Sequence, residues 1–121
     1  MGANQLKISL VQSNSIVGGI RNNAERILAK AIEAEKKGSD LIVFPEMFLS
    51  GYQPLDLVNK RSFLEDIFFQ VHNIAQQANS LNIRILIGAP WCLDSKIYNA
   101  LIAIFKGSIK VVSKKFHLPN Y

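Results

Sequence analysis

Along this chain the apolar positions switch between two periods. Leu6, Ile8 and Leu10 alternate with Lys7 and Ser9, a period of two that predicts a strand ending near Gln12. Ser13 to Gly19 is a polar, glycine-containing connection. The period then becomes helical: Ala24, Ile27, Leu28, Ala31 and Ile32 share one face, with Glu25, Arg26, Lys30 and Glu33 on the other. Asn22 or Asn23 suits the N-cap of this helix, and Lys36-Lys37-Gly38 supplies cations for its last turn and a glycine stop. Leu41-Ile42-Val43-Phe44 is too short an apolar run for a helix and predicts a fully buried strand.

A second helical pattern runs from about Ser62 to Leu81, with a broad apolar face that includes Phe63, Ile67, Val71 and Ile74. Ile83 to Pro90, Ile97 to Phe105 and Ile109 to Val112 read as strands, the last two joined by a tight turn at Lys106-Gly107-Ser108. The expected order is β-α-β-α-β-β-β over residues 1–121, an α/β arrangement with no internal repeat. Its strand–helix–strand opening implies that the first two strands lie parallel in one sheet.

Composition narrows the class. A chain of 121 residues with 49% hydrophobic and 19% charged content is long enough to bury a core. No run approaches the length of a membrane span, and the N-terminus lacks the pattern of a secretory signal. A single cysteine, Cys92, excludes an internal disulfide framework and fits the cytoplasm. The net charge of +5 comes from scattered pairs such as Lys36-Lys37, Lys60-Arg61 and Lys114-Lys115, a poor footprint for nucleic acid. His72 has no second histidine one turn away and reads as a packed or rim residue, not a metal ligand.

Two stretches carry candidate chemistry. Pro45 ends the buried run because it has no N–H to donate, and Glu46 follows it, ahead of Gly51, Tyr52 and Pro54 in an apolar loop. A carboxylate at the end of a buried strand is expected to be partly desolvated, which raises its pKa toward that of a useful general base. The alternative is an acid that caps a turn. Lys115 follows a strand and precedes Phe116 and a proline, a setting that keeps its ammonium off an open face. Such a lysine can stabilise an oxyanion or tune a neighbouring carboxylate, against the alternative of a solvated strand-end pair.

In order along the chain, FPE, SGY, YNA at Tyr98 to Ala100, and KFHL at Lys115 to Leu118 resemble the signature of the nitrilase superfamily of carbon–nitrogen hydrolases. More narrowly, GYQPLDL after the glutamate and LPNY after the lysine resemble the glutaminase domain of glutamine-dependent NAD synthetases. The resemblance implies an αββα sandwich, of which this chain would be the N-terminal part. It implies a cysteine amidase acting on glutamine, with Glu46 as the base and Lys115 as the electrostatic partner, whose charge would pull the Glu46 pKa down against the desolvation that raises it, with no net direction expected. Tyr52 and Tyr121 become candidates for lining the glutamine pocket. It also implies packing of sandwiches into an oligomer, and a separate C-terminal domain that uses ATP and magnesium to adenylate a deamido dinucleotide. No cofactor or metal is expected in the present segment.

The family pattern places the nucleophilic cysteine well after the lysine, and only six residues follow Lys115 here. Cys92 lies 23 residues before Lys115, out of that order, and reads as a structural cysteine. The chain is therefore expected to be a glutamine amidohydrolase domain truncated before its nucleophile, and inactive by itself. Two rivals stand beside that reading: a stand-alone amidase or carbamoylase, and a non-catalytic half-domain used for assembly.

Overall fold

The computed structural model describes residues 5–13, 19–51 and 61–117, with side chains placed in the last strand as far as Lys115. Its elements run β1 (Ile8–Leu10), α1 (Ile20–Lys36), β2 (Leu41–Val43), α2 (Arg61–Gln77), β3 (Arg84–Leu93), β4 (Lys96–Phe105) and β5 (Ser108–His117). They form one five-stranded sheet in chain order, β1-β2-β3-β4-β5. β1, β2 and β3 pair in parallel, whereas β3, β4 and β5 form an antiparallel meander. This is the expected β-α-β-α-β-β-β order, with strand ends displaced.

The core lies between the helices and one face of the sheet. Ile27 and Ala31 of α1 and Ile67, Val71 and Ile74 of α2 are buried there. They meet Ile42, Ile85, Ile87, Ile102 and Ile104, one residue in two along β2, β3 and β4. The opposite face is open. Leu41 and Val43 are half-buried, and Ile8, Leu10, Leu101 and Val112 are exposed. The Leu41–Phe44 run is therefore not buried on both sides as expected: Ile42 and Phe44 are buried, while Leu41 and Val43 point to the uncovered face. In β1 and just before it, polar side chains tie the chain to the end of α1. Ser9 Oγ shares a hydrogen bond with Ser39 Oγ (2.5 Å), and Lys7 Nζ donates to the Lys37 carbonyl (2.6 Å), satisfying a terminal carbonyl of α1.

Several boundaries differ from the sequence expectation; α2, for one, ends at Gln77 and not near Leu81. The N-cap of α1 is Gly19, not Asn22 or Asn23. Asn23 is instead fully buried inside the helix, and its amide donates to the Leu49 carbonyl (3.1 Å), tying the segment after Glu46 to α1. β3 and β4 continue to a two-residue turn at Asp94-Ser95, both at positive φ, as a type I′ hairpin turn requires. The turn lacks the glycine that advertises such hairpins; Lys106-Gly107, also at positive φ, has one. Finally, β5 runs on to His117, so Lys115 lies within a strand and not after it.

Candidate active site

Glu46 is positioned by the end of the parallel pairing. The Phe44 N–H still donates to the Leu86 carbonyl (3.1 Å); Pro45 cannot extend the ladder, and the chain turns. Hydrogen bonds from Phe48 N–H to the Pro45 carbonyl (3.1 Å) and from Gly51 N–H to the Met47 carbonyl (2.7 Å) close this turn. Met47 adopts φ 65°, a conformation that costs a non-glycine residue energy and that survives only where its surroundings hold it. The residues that follow it, Phe48, Leu49 and Ser50, are all buried, with the Phe48 ring 5.2 Å from that of Phe44 and under the Arg26 guanidinium. The apolar residues after Glu46 thus act as an anchor that fixes where its carboxylate emerges.

The carboxylate emerges on the open face of the sheet. Lys115 Nζ on β5 stands 3.3 Å from Glu46 Oε2, and Asn99 Nδ2 on β4 donates to the same oxygen at 2.5 Å. Gly88 on β3 forms the floor. These residues, with Phe44, Leu101 and Ser113, line a cleft of about 350 Å³. The two catalytic candidates chosen from sequence, 69 residues apart, therefore meet. Tyr52 and Tyr121 lie outside the described residues.

The electrostatics differ from the expected desolvated acid. The side chains of Glu46 and Lys115 are 53% and 66% exposed, so neither is withdrawn from water among the described residues. The Asn99 hydrogen bond does most to hold the Glu46 carboxyl below its ordinary range; the Lys115 ammonium adds to this, and partial burial opposes it. Asn99 is the functional neighbour that sequence reasoning missed. Its signal was present, since the residue stands in the YNA segment, but nothing in its local pattern ties it to a carboxylate 53 residues earlier.

Cys92 is exposed and does not line this cleft; it borders a separate cavity with Arg61, Leu64, Glu65 and Phe68. His72 is a rim residue, as expected: its Nδ1–H donates to the Phe68 carbonyl (2.9 Å), and its ring lies against Phe68 and faces Trp91. No group of three or more metal-ligating side chains occurs among the described residues, and none of the described helices is long and apolar enough to cross a membrane.

Comparison with known proteins bears on the fold and the family. The chain is 37% identical over 117 residues to the glutamine-dependent NAD(+) synthetase of Thermotoga maritima, and 35% identical over 116 residues to that of Aquifex aeolicus. These matches take in 97% and 96% of the chain but 20% of each relative, so it spans about a fifth of their length. Among solved structures, the glutamine-dependent NAD(+) synthetase from Cytophaga hutchinsonii superposes with a TM-score of 0.81 at 25% identity, over 95% of this chain and 20% of that one. An amidase from Nesterenkonia sp. shares the fold at 18% identity, with a TM-score of 0.71 over 88% of this chain and 41% of its own. The family described as carbon-nitrogen hydrolase matches residues 7–121. With all but its first six residues inside that match, the chain belongs to the carbon–nitrogen hydrolase family.

Proposed function

We propose that this chain forms the base-and-cation part of a glutamine amidohydrolase within a glutamine-dependent NAD synthetase. The observation that carries the reading is the Glu46–Lys115 pair in its cleft on the open sheet face. In this reading, Glu46 takes the proton of a cysteine thiol, and the thiolate attacks the side-chain amide carbon of glutamine. Lys115 stabilises the oxyanion of the tetrahedral intermediate. Glu46 returns the proton to the departing nitrogen, ammonia leaves, and water activated by the same carboxylate releases glutamate from the thioester.

The thiol comes from residues beyond Lys115, as the family order implies, and reaches the cleft from its uncovered side. Cys92 does not serve, because it borders another cavity. Tyr52 and Tyr121 complete the glutamine pocket. The released ammonia amidates deamido-NAD in a separate domain that uses ATP and magnesium, in an oligomeric cytoplasmic enzyme. The exposed apolar residues on the cleft's face, Ile8, Leu10, Leu101 and Val112, fit coverage by a second sheet.

Glu46→Gln in the full-length protein tests the assignment, since it keeps the size of the side chain and removes the proton acceptor. Glutamine hydrolysis should fall at least about a hundredfold, the scale of losing a general base. Dinucleotide synthesis from free ammonia should be nearly untouched. Collapse of both activities would make Glu46 structural; unchanged hydrolysis would place the base elsewhere.

A further inference from the structure

We propose that Asn99 is a positioning residue for the Glu46 base, holding one carboxylate oxygen so that the other faces the thiol. The inference rests on the glutaminase reading above and extends it to a residue with no role in that reading.

The geometry separates the two donors by rigidity. Both Asn99 Nδ2 and Lys115 Nζ reach Glu46 Oε2, at 2.5 and 3.3 Å. Among the described residues, Oε1 accepts no hydrogen bond and is left as the atom that can take a proton. Lys115 is a four-carbon stem carrying a point charge, two-thirds exposed, and a poor fixer of geometry. Asn99 has a short side chain on β4, an interior strand; it is held in register by β3 and lies at the irregularity in the β4–β5 pairing. Its neighbour on β3 is Pro90. The bond it makes is also the shorter of the two.

Chemistry requires this division. When the thiol proton moves to Oε1, the bond from sulfur to hydrogen breaks and a thiolate and a carboxylic acid result. Lys115 must then turn toward the oxyanion that forms on the amide carbon. If Lys115 were the only tether, the carboxyl would lose its orientation at the step where it must hand the proton to the departing nitrogen. Asn99 does not move with the oxyanion and keeps Glu46 in place through both transfers. Among the described residues, Lys115 is the only charged group in contact with Glu46; β3 contributes Gly88 and β4 contributes the neutral Asn99.

The test uses Asn99→Leu and Asn99→Asp in the full-length protein. Leucine keeps volume and removes the donor; aspartate keeps shape, removes the donor and adds a like charge. Glutamine kcat should fall about tenfold to a hundredfold in both, with KM little changed and ammonia-supported synthesis intact. The acid limb of the kcat/KM pH profile should move to higher pH in both, further for aspartate. A role confined to packing would lower stability without moving that limb, so an unmoved limb in both variants overturns the proposal. If the unsubstituted protein fails to hydrolyse glutamine, the functional reading falls. The positioning claim is then decided by the Glu46 carboxyl titration, followed by 13C NMR. An upward shift on Asn99→Leu supports it and no shift overturns it.

Discussion

Gly88 lies directly beneath Glu46: a Cβ added there would stand 3.7 Å from Glu46 Cα and 3.8 Å from its Cγ. One methyl group fits that gap as ordinary contact, and a branched side chain does not. Gly88→Ala should leave the cleft intact. Gly88→Val should displace the carboxylate from Asn99 and Lys115 and cost about 1–3 kcal/mol of stability through overpacking. Denaturant unfolding of the two variants, with glutamine hydrolysis as a second readout, separates the outcomes. Equal behaviour of alanine and valine would show that the floor of the cleft can yield.

Asn99 first, and then Lys115, hold the Glu46 carboxyl below its ordinary value of 4.5, which sets the direction of a pH dependence. A depressed folded-state pKa stabilises the fold above the unfolded value, and this contribution is lost as pH falls through the folded one. Lys115→Met should therefore reduce stability at pH 7 and have little effect near pH 2. The difference should stay below about 1 kcal/mol, because both side chains are more than half exposed. Unfolding free energies at the two pH values would check it; a larger loss at pH 2 than at pH 7 would contradict the sign.

Asn23 couples the core to the site through its hydrogen bond to the Leu49 carbonyl. Asn23→Ala leaves that carbonyl without its amide donor in a buried position and should cost about 1–3 kcal/mol. Because Leu49 belongs to the turn that carries Glu46, the loss should also raise amide exchange across residues 46–50. Protection of that turn unchanged from the parent would show that Phe48 alone anchors it.

The periodicities reveal the elements well because they are set locally. What escaped them depends on partners distant in the chain. Asn23 resembles a cap in sequence, yet α1 begins three residues earlier and buries it. Alternation in β1 shows which residues share a face but not that the apolar set, Leu6, Ile8 and Leu10, faces outward. Asp94-Ser95 reverses the chain without a glycine. Glu46 and Lys115 stand out as candidates through motif order, whereas Asn99 reaches Glu46 only when β4 is laid beside β3.

The open face makes a prediction about the 121-residue polypeptide prepared alone. Exposed Ile8, Leu10, Leu101 and Val112 on one side of a sheet should drive association. Sedimentation should show oligomers or aggregates, and Ile8→Lys with Leu10→Lys should raise the monomer fraction. A monodisperse monomer that melts cooperatively without those changes would mean that this face needs no cover.

The placement of Lys115 has a consequence for how the site comes into being during folding. Its strand pairs with β4 through irregularities between Tyr98 and Ala100 and between Leu101 and Ile102. Lys114, adjacent in sequence, instead lays its ammonium 4.6 Å from the centre of the Tyr98 ring. Side chains alternate between faces along a strand, so a one-residue slip of β5 would exchange the two lysines and present Glu46 with the wrong one. The ion pair closes a loop of 69 residues and requires β3, β4 and β5 to be paired in register. A thiol that depends on this pair for activation would stay unreactive on misregistered chains. The reactive centre would then be switched on by correct folding itself.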